Sequence, residues 1–176
     1  MTRRTITVFF MGIFFIAVIA ATVWVNLTKP RILVLQSYSL GYVWTKQLDE
    51  GLQRVFNKHS GIDIRYHYMA TKKKSGKRYL HRAGIAARAA IDRISPDVVI
   101  ALDDHAQELA AMAYVNQPDI NIVFAGINGS AEPYGYHKAD NVTGIFERKP
   151  ANAIKEAILI LHGGLKSGGK QARAMF

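Results

Sequence analysis

Residues 96–105, PDVVIALDDH, decide the fold. The apolar run 98–102 has neighbouring β-branched residues and the length of a strand that is buried on both faces. The run ends in Asp103 and Asp104, and the pattern that follows predicts a helix over 105–117. Ligands of open α/β sheets bind outside the carboxyl ends of the strands, so both carboxylates are candidate binding groups. Asp is also a favoured helix N-cap, and either residue could cap this helix while it binds a ligand.

Strand-like and helix-like segments alternate on both sides of this stretch. Strands are predicted for RILVLQ (31–36), IDIRYHYMA (62–70, half-buried and near a sheet edge), NIVFAGIN (121–128) and NVTGIFE (141–147). Helices are predicted from a cap at Thr45 to about residue 56, over 80–94, and from Pro150 through 151–161. This alternation is typical of right-handed βαβ units. It predicts an α/β fold, a single three-layer lobe with a mostly parallel sheet.

Residues 1–28 predict a transmembrane helix. After Arg3 and Arg4, the run 6–27 is apolar apart from Thr7, Thr22 and Asn26. About 20 such residues at about 1.5 Å each cross a bilayer core of about 30 Å. The segment is either an export signal cleaved near Ala20 or an uncleaved anchor, and Trp24 with the apolar residues beside it favours the anchor. The two arginines place the N-terminus in the cytoplasm, so we expect a single-pass inner-membrane protein with its lobe in the periplasm.

Amino-acid composition limits the classes of protein and of functional site that this chain can represent. Of the 176 residues, 49% are hydrophobic, which is enough for the core of one domain over 29–162; the basic, glycine-rich residues 163–176 are predicted to be disordered. There is no cysteine, which excludes disulfides, thiol catalysis and thiolate metal sites. The net charge is +10, and residues 72–88 contain seven basic and no acidic residues. Few rings interleave with them, so we interpret this stretch as a solvated face and expect no nucleic-acid partner.

Polar and aromatic side chains follow the predicted strands. Carboxylates could take an ammonium group while rings cover an apolar part, so we expect a site for a small polar solute. The candidate ligand-binding residues are Ser37, Tyr38, Tyr42, Trp44, Asp103, Asp104, Asn128 and Glu147. Tyr42 and Trp44 have the alternative of packing at a helix start, and Asn128 that of forming a plain turn.

The sequence offers little for catalysis. Asp103, Asp104 and His105 are metal-ligand types, but neighbours in one turn rarely converge on one ion, and the other histidines are scattered. Ser37 lacks the glycines of a nucleophile elbow, and the lysine-rich loop lacks the spacing of a phosphate-binding loop. We therefore expect no enzyme, no catalytic residues, no metal and no cofactor.

Four segments carry a family resemblance. RILVLQSYSLGYVWTKQLDEGL, SPDVVIALDDHA, NIVFAGIN and NVTGIFE, in this order and at these separations, resemble the first lobe of the ABC transporter substrate-binding protein family, uncharacterised periplasmic components whose better-known relatives are linked to amino-acid uptake. The resemblance covers about residues 31–160. It implies a periplasmic-binding-protein-like lobe in which Ser37, Tyr38, Asp103, Asp104 and Asn128 line the cleft and Glu147 lies near the hinge.

The resemblance also implies a function and partners. The family's two lobes close on a ligand like a hinged trap. We expect a membrane-tethered solute-binding lobe of an ABC-type importer, truncated and lacking the second lobe, with a small polar solute such as an amino acid as ligand and an ABC permease as partner. The alternative is an extracytoplasmic sensor or interaction domain that signals through a sensory partner.

Overall fold

The computed structural model describes residues 3–59, 61–147 and 154–161. The chain divides into two compact units, Met1–Phe146 and Glu147–Phe176, and each is described by itself. In the second unit, residues 154–161 form a helix, α5, which confirms this part of the helix predicted over 151–161. The predicted helix start at Pro150 and the predicted disorder of 163–176 lie outside the described residues.

The first unit is an α/β fold with a five-stranded sheet whose strands are all parallel. The strands are β1 (Arg31–Gln36), β2 (Asp63–Tyr68), β3 (Val98–Leu102), β4 (Asn121–Ile127) and β5 (Val142–Phe146), in the spatial order β2-β1-β3-β4-β5. The five predicted strands are confirmed. The half-buried pattern of β2 is explained by its place at the edge of the sheet.

The helices of the first unit are α1 (Arg3–Leu27), α2 (Val43–Phe56), α3 (Lys77–Ile94) and α4 (Asp104–Leu109), with 3₁₀ turns at Ala111–Tyr114, Glu132–Tyr134 and Tyr136–Lys138. The predicted cap at Thr45 is wrong, because α2 begins two residues earlier with Tyr42 in the cap position. Thr45 is fully buried inside the first turn, and its hydroxyl has no hydrogen-bond partner among the described residues.

The helix predicted over 105–117 is also wrong in its extent. It ends at Leu109, because Ala110 has non-helical backbone angles, and a 3₁₀ turn follows. The carbonyl of Leu109 instead accepts a hydrogen bond from the Arg88 guanidinium. It also lies 2.8 Å from the point where a side chain at Gly84 would begin, so α3 packs closely against this break. At the Leu109 carbonyl, a hydrogen bond from a residue distant in sequence therefore replaces the hydrogen bond that a continuing helix would form.

The two faces of the sheet pack against different helices. Leu33 and Leu35 of β1 are fully buried and share one core cluster with Ala87 and Ile91 of α3. Because side chains alternate along a strand, Gln36 points to the opposite face. There its amide donates a 2.7 Å hydrogen bond to the buried carboxylate of Asp49 in α2.

The strand order produces a crevice at the carboxyl edge of the sheet. From β1 the chain leaves to β2 on one side, and from β3 it leaves to β4 on the other. The loops that follow β1 and β3 therefore diverge between two adjacent strands. In sheets of this order, this switch point is where ligands bind.

One described helix is long and apolar enough to cross a membrane. Thr7–Leu27, within α1, has 21 residues and a mean hydropathy of 2.6. N-terminal signal sequences share these properties, so the structure agrees with either alternative for this segment.

Candidate ligand-binding site

Ser37 forms the floor of the switch point. Its hydroxyl donates a 2.7 Å hydrogen bond to the Leu102 carbonyl and accepts one of 2.8 Å from the Ala106 N–H. The residue is fully buried, so its hydroxyl joins the end of β1 to the end of β3 and to the start of α4. In this structure Ser37 positions the strand ends.

Asp103 lies at the centre of the site. It is only 7% exposed, and its Oδ1 accepts hydrogen bonds from the Tyr38 hydroxyl (2.7 Å) and from the N–H of Asp104 (2.9 Å). The second bond makes Asp103 the N-cap of α4, which confirms the capping interpretation. No described residue donates a hydrogen bond to Oδ2, so one carboxylate oxygen is left for another partner.

The backbone of Asp103 is strained. Its φ of 72° and ψ of 166° lie in a region that is almost restricted to glycine and costs about 1–3 kcal/mol. The conformation is fixed by a 2.8 Å hydrogen bond from its N–H to the Ala125 carbonyl. Across from it, Gly126 has a φ of 75°, and a side chain there would begin 3.5 Å from the Asp103 nitrogen. Such strain is concentrated at functional sites.

Two aromatic rings and a lysine border the Asp103 carboxylate. The rings of Tyr38 and Tyr42 meet edge to face at 5.1 Å. The Lys72 ammonium lies 5.2 Å from the centre of the first ring and 5.6 Å from that of the second, which is within cation–π range. A cavity of about 310 Å³ lies beside this pair of rings. It is lined by Tyr42, Lys72 and Lys73 together with Ser39 and Gly41, and Asp103 is not among its lining residues.

Asp104 connects the site to the loops after β4. Its Oδ2 accepts a 2.8 Å hydrogen bond from the Asn128 side-chain amide. Its Oδ1 accepts hydrogen bonds from the Tyr134 hydroxyl at 3.1 Å and the Asn128 N–H at 3.3 Å. Both oxygens are therefore engaged, and Asp104 holds Asn128 beside the crevice.

A third element, the loop after β2, joins through Thr71 and His105. The Thr71 hydroxyl donates a 2.6 Å hydrogen bond to the Ser37 carbonyl and lies 2.9 Å from His105 Nδ1. Because this hydroxyl has one proton, we assign Nδ1 as the donor in the second contact. In the neutral ring, Nε2 of His105 is then an acceptor.

Of the other predicted residues, Trp44 makes no hydrogen bond or ring contact with this cluster within the described part of the chain, and Glu147 belongs to the other compact unit. Trp44 is 38% exposed, and Glu147 follows β5 directly. Their ligand-binding roles stay predictions.

Within 3–59, 61–147 and 154–161, the two carboxylates of the site, Asp103 and Asp104, form no ion pair, although the Lys72 ammonium lies over the neighbouring rings. Burial, and then the hydrogen bond to Asp103, raises the pKa of Tyr38. Burial, and then the charge of Asp104, raises the pKa of Tyr134 to about 12. Both phenols therefore stay protonated at neutral pH and donate to the carboxylates.

The arrangement of carboxylates and rings is suited to binding a cation. A carboxylate on a largely buried residue, with one oxygen that has no described donor, attracts an ammonium group, and the neighbouring rings can contact an apolar substituent. In the described residues, no group of three or more His, Cys, Asp or Glu side chains is placed to hold a metal ion.

Sequence reasoning missed Thr71, Lys72, His105 and Tyr134. Thr71 and Lys72 follow β2, so the rule that selected the ends of the other strands could have found them. Tyr134 lies in a 3₁₀ turn between β4 and β5, and no local signal connects it with Asp104. The contact exists only because both loops return to the same edge of the sheet.

Comparison with known proteins assigns no relative to this chain: no family model matches it, and no curated protein matches it significantly.

Proposed function

We propose that this chain is a membrane-tethered solute-binding lobe of an ABC-type importer, located in the periplasm. Its ligand is a small polar solute with an ammonium group, such as an amino acid. Asp103 binds the ammonium, while Tyr38 and Tyr42 contact the rest of the solute.

The observation that carries this proposal is the state of Asp103. Its carboxylate is 7% exposed, has no ion pair among the described residues, and keeps Oδ2 without a described hydrogen-bond donor. An unpaired buried charge is costly, and a ligand cation would remove that cost. The strained backbone of Asp103 supports the same interpretation.

The proposal is tested by thermal unfolding of the full chain in neutral detergent with a panel of amino acids. A ligand that binds the native state alone raises the unfolding midpoint with concentration. We expect at least one amino acid to raise the unfolding midpoint. The N-acetylated form of the same amino acid, which has no ammonium group, should have no effect.

Two variants make the test specific. Asp103→Asn keeps the hydrogen-bond acceptor at Oδ1 but removes the charge, so it should abolish the shift. Asp119→Asn removes an exposed carboxylate outside the site and should leave the shift unchanged. If no amino acid shifts the wild type, or if both variants respond like it, Asp103 is not an ammonium site.

One observation favours a second candidate, a sensor domain. Only residues 28–30 separate α1 from β1, and Thr28 continues the helical hydrogen bonding with a 3.0 Å bond from its N–H to the Trp24 carbonyl. The membrane-length helix thus leads almost directly into the strand that ends at Ser37. A displacement of β1 on ligand binding would reach the membrane through this short connection.

The two candidates differ in what a lengthened connection does. Insertion of a flexible Gly-Ser segment after Thr28 should preserve solute uptake in cells if the lobe serves an importer, because the tether then only holds it at the membrane. A sensor would lose its ligand-dependent output while solute binding in vitro persisted.

A further inference from the structure

A second cavity lies away from the ligand-binding site. It has a volume of about 420 Å³ and is formed by the carboxyl end of β2, the loop after it and the first turns of α3. Cationic side chains, Lys74 and Arg82, share its wall with His67 and the ring of Tyr79. It has no lining residue in common with the site around Asp103, and no carboxylate lines it.

The cations of this cavity are not neutralised. Ion pairs in the described residues join Lys46 to Glu50 and Arg65 to Asp63, and neither Lys74 nor Arg82 takes part in one. No hydrogen bond joins the Arg82 guanidinium to a described residue. A positively charged surface without counter-charges destabilises the folded chain unless an anion binds it.

The surroundings add to this positive charge. The first turn of α3 has no acidic residue and begins with Lys77 and Arg78, although cations at a helix N-terminus oppose the helix dipole. Burial, and then the positive charge of Arg93, lowers the pKa of His67. Local electrostatics are therefore unfavourable in the absence of an anion, as expected where function overrides a local preference.

The walls are positioned for an organic group beside an anion. The Tyr79 hydroxyl donates a 2.9 Å hydrogen bond to the Met69 carbonyl, which fixes its ring against the end of β2. The Lys74 ammonium lies 5.4 Å from the centre of that ring. Arginine offers a planar pair of donors for a phosphate, lysine adds a point charge, and two cations match a phosphate dianion.

We propose that this cavity binds the phosphate group of a phosphomonoester, either a small organic phosphate or a lipid headgroup, between Lys74 and Arg82. The Tyr79 ring contacts the organic part nearest the phosphate. This site is independent of the proposed solute-binding function.

The test is calorimetric titration of the full chain, reconstituted in phosphatidylcholine bilayers, with phenyl phosphate. We expect saturable binding that is weakened at least about tenfold in the double variant K74Q/R82Q, which loses two charge-assisted contacts. Inorganic phosphate, which lacks the ring, should bind more weakly than phenyl phosphate. A far-ultraviolet circular dichroism spectrum matching the wild type establishes that each variant is folded.

The double variant R54Q/K58Q is the matched control. It loses the same formal charge from two exposed residues that do not line the cavity, one in the last turn of α2 and one just after it. Its affinity should stay within about twofold of the wild type. Equal weakening in both double variants would show general charge attraction and overturn the proposal, as would the absence of saturable binding.

A second arm identifies the source of the phosphate. Adding phosphatidic acid to the bilayer should reduce phenyl phosphate binding if lipid headgroups occupy the cavity, and should not change it if the ligand is a soluble phosphate. Asp103→Asn should bind phenyl phosphate like the wild type. That result separates failure of this proposal from failure of the solute-binding one.

Discussion

Asp103 combines three roles in one residue: it caps α4, accepts a hydrogen bond from the Tyr38 hydroxyl and keeps a carboxylate oxygen beside the crevice. These roles require a backbone conformation that favours glycine. The hydrogen bond from its N–H to the Ala125 carbonyl and the lack of a side chain at Gly126, which lies against the Asp103 backbone, permit it. The arrangement gives up some stability for the position of one carboxylate.

This strain predicts different stabilities for two substitutions at Asp103. Asp103→Ala keeps the strain and loses the cap and the Tyr38 contact, so it should lower the free energy of unfolding by about 2 kcal/mol. Asp103→Gly loses the same contacts but releases about 1–3 kcal/mol of strain, so it should be the more stable of the two. Urea unfolding measures both. Equal stability of the two variants would show that the backbone of Asp103 is relaxed.

The raised pKa of Tyr134 predicts a pH-dependent stability. Its pKa is about 12 in the folded chain and about 10 in the unfolded chain, so between these values the folded state holds the proton that the unfolded state has lost. The contribution of this phenol is complete below about pH 10 and falls as the pH rises toward 12.

Tyr134→Phe isolates that contribution. At neutral pH the wild type should be the more stable by about 1 kcal/mol, the value of one hydrogen bond. Urea unfolding at increasing pH should show this difference shrinking above about pH 10. A difference that stays constant up to about pH 12 would contradict the proposed contact with Asp104.

At the scale of elements, β5 depends on one glycine. Gly144 faces Phe124 of the neighbouring strand so closely that a side chain there would overlap the Phe124 carbonyl oxygen and lie 2.7 Å from ring atom Cδ1. The Phe124 ring is in turn packed against Tyr136 at 5.5 Å and Phe146 at 5.1 Å. It has little space to move away.

Gly144→Ala should therefore loosen β5. We expect a loss of about 1–3 kcal/mol in the free energy of unfolding, the usual cost of overpacking. Gly129→Ala is the control, because nothing lies within 4 Å of the added carbon. Urea unfolding compares the two, and hydrogen exchange should show faster exchange of the β5 amides in Gly144→Ala alone.

At the scale of the whole molecule, α1 and the charge distribution predict how the chain sits in a cell. Thr7–Leu27 is apolar enough to span a bilayer, and Arg3 and Arg4 precede it. The positive-inside rule then places the α/β unit across the membrane from the N-terminus. Replacing both arginines with glutamate should weaken this orientation.

Protease accessibility measures the orientation directly. In spheroplasts expressing the full chain, added protease should digest the α/β unit without cell lysis, and the membrane pellet should retain an α1-sized fragment after alkaline carbonate washing. Digestion only after lysis would reverse the orientation. Release of the full-length chain from the pellet would show that the segment does not anchor it, and release of a chain shortened by this segment would show that it is cleaved as a signal.

The sequence by itself determined the class of fold and the edge of the sheet that carries the site. Apolar runs such as 98–102 and the alternation in β2 are local consequences of burial, so strands and most helices could be predicted from them. The same patterns placed Tyr38, Asp103, Asp104 and Asn128 after strands, and the structure brings these four residues together.

Only the tertiary structure decided how these pieces meet. The order β2-β1-β3-β4-β5, the end of α4 at Leu109 and the contacts of Thr71 and Tyr134 join residues far apart in the chain. Local propensity contains no information about such pairs, because their stability depends on which surfaces the packed sheet brings together. The strained conformation of Asp103 has the same origin: contacts with the loop after β1, with β4 and with α4 hold one residue where its own preference would not.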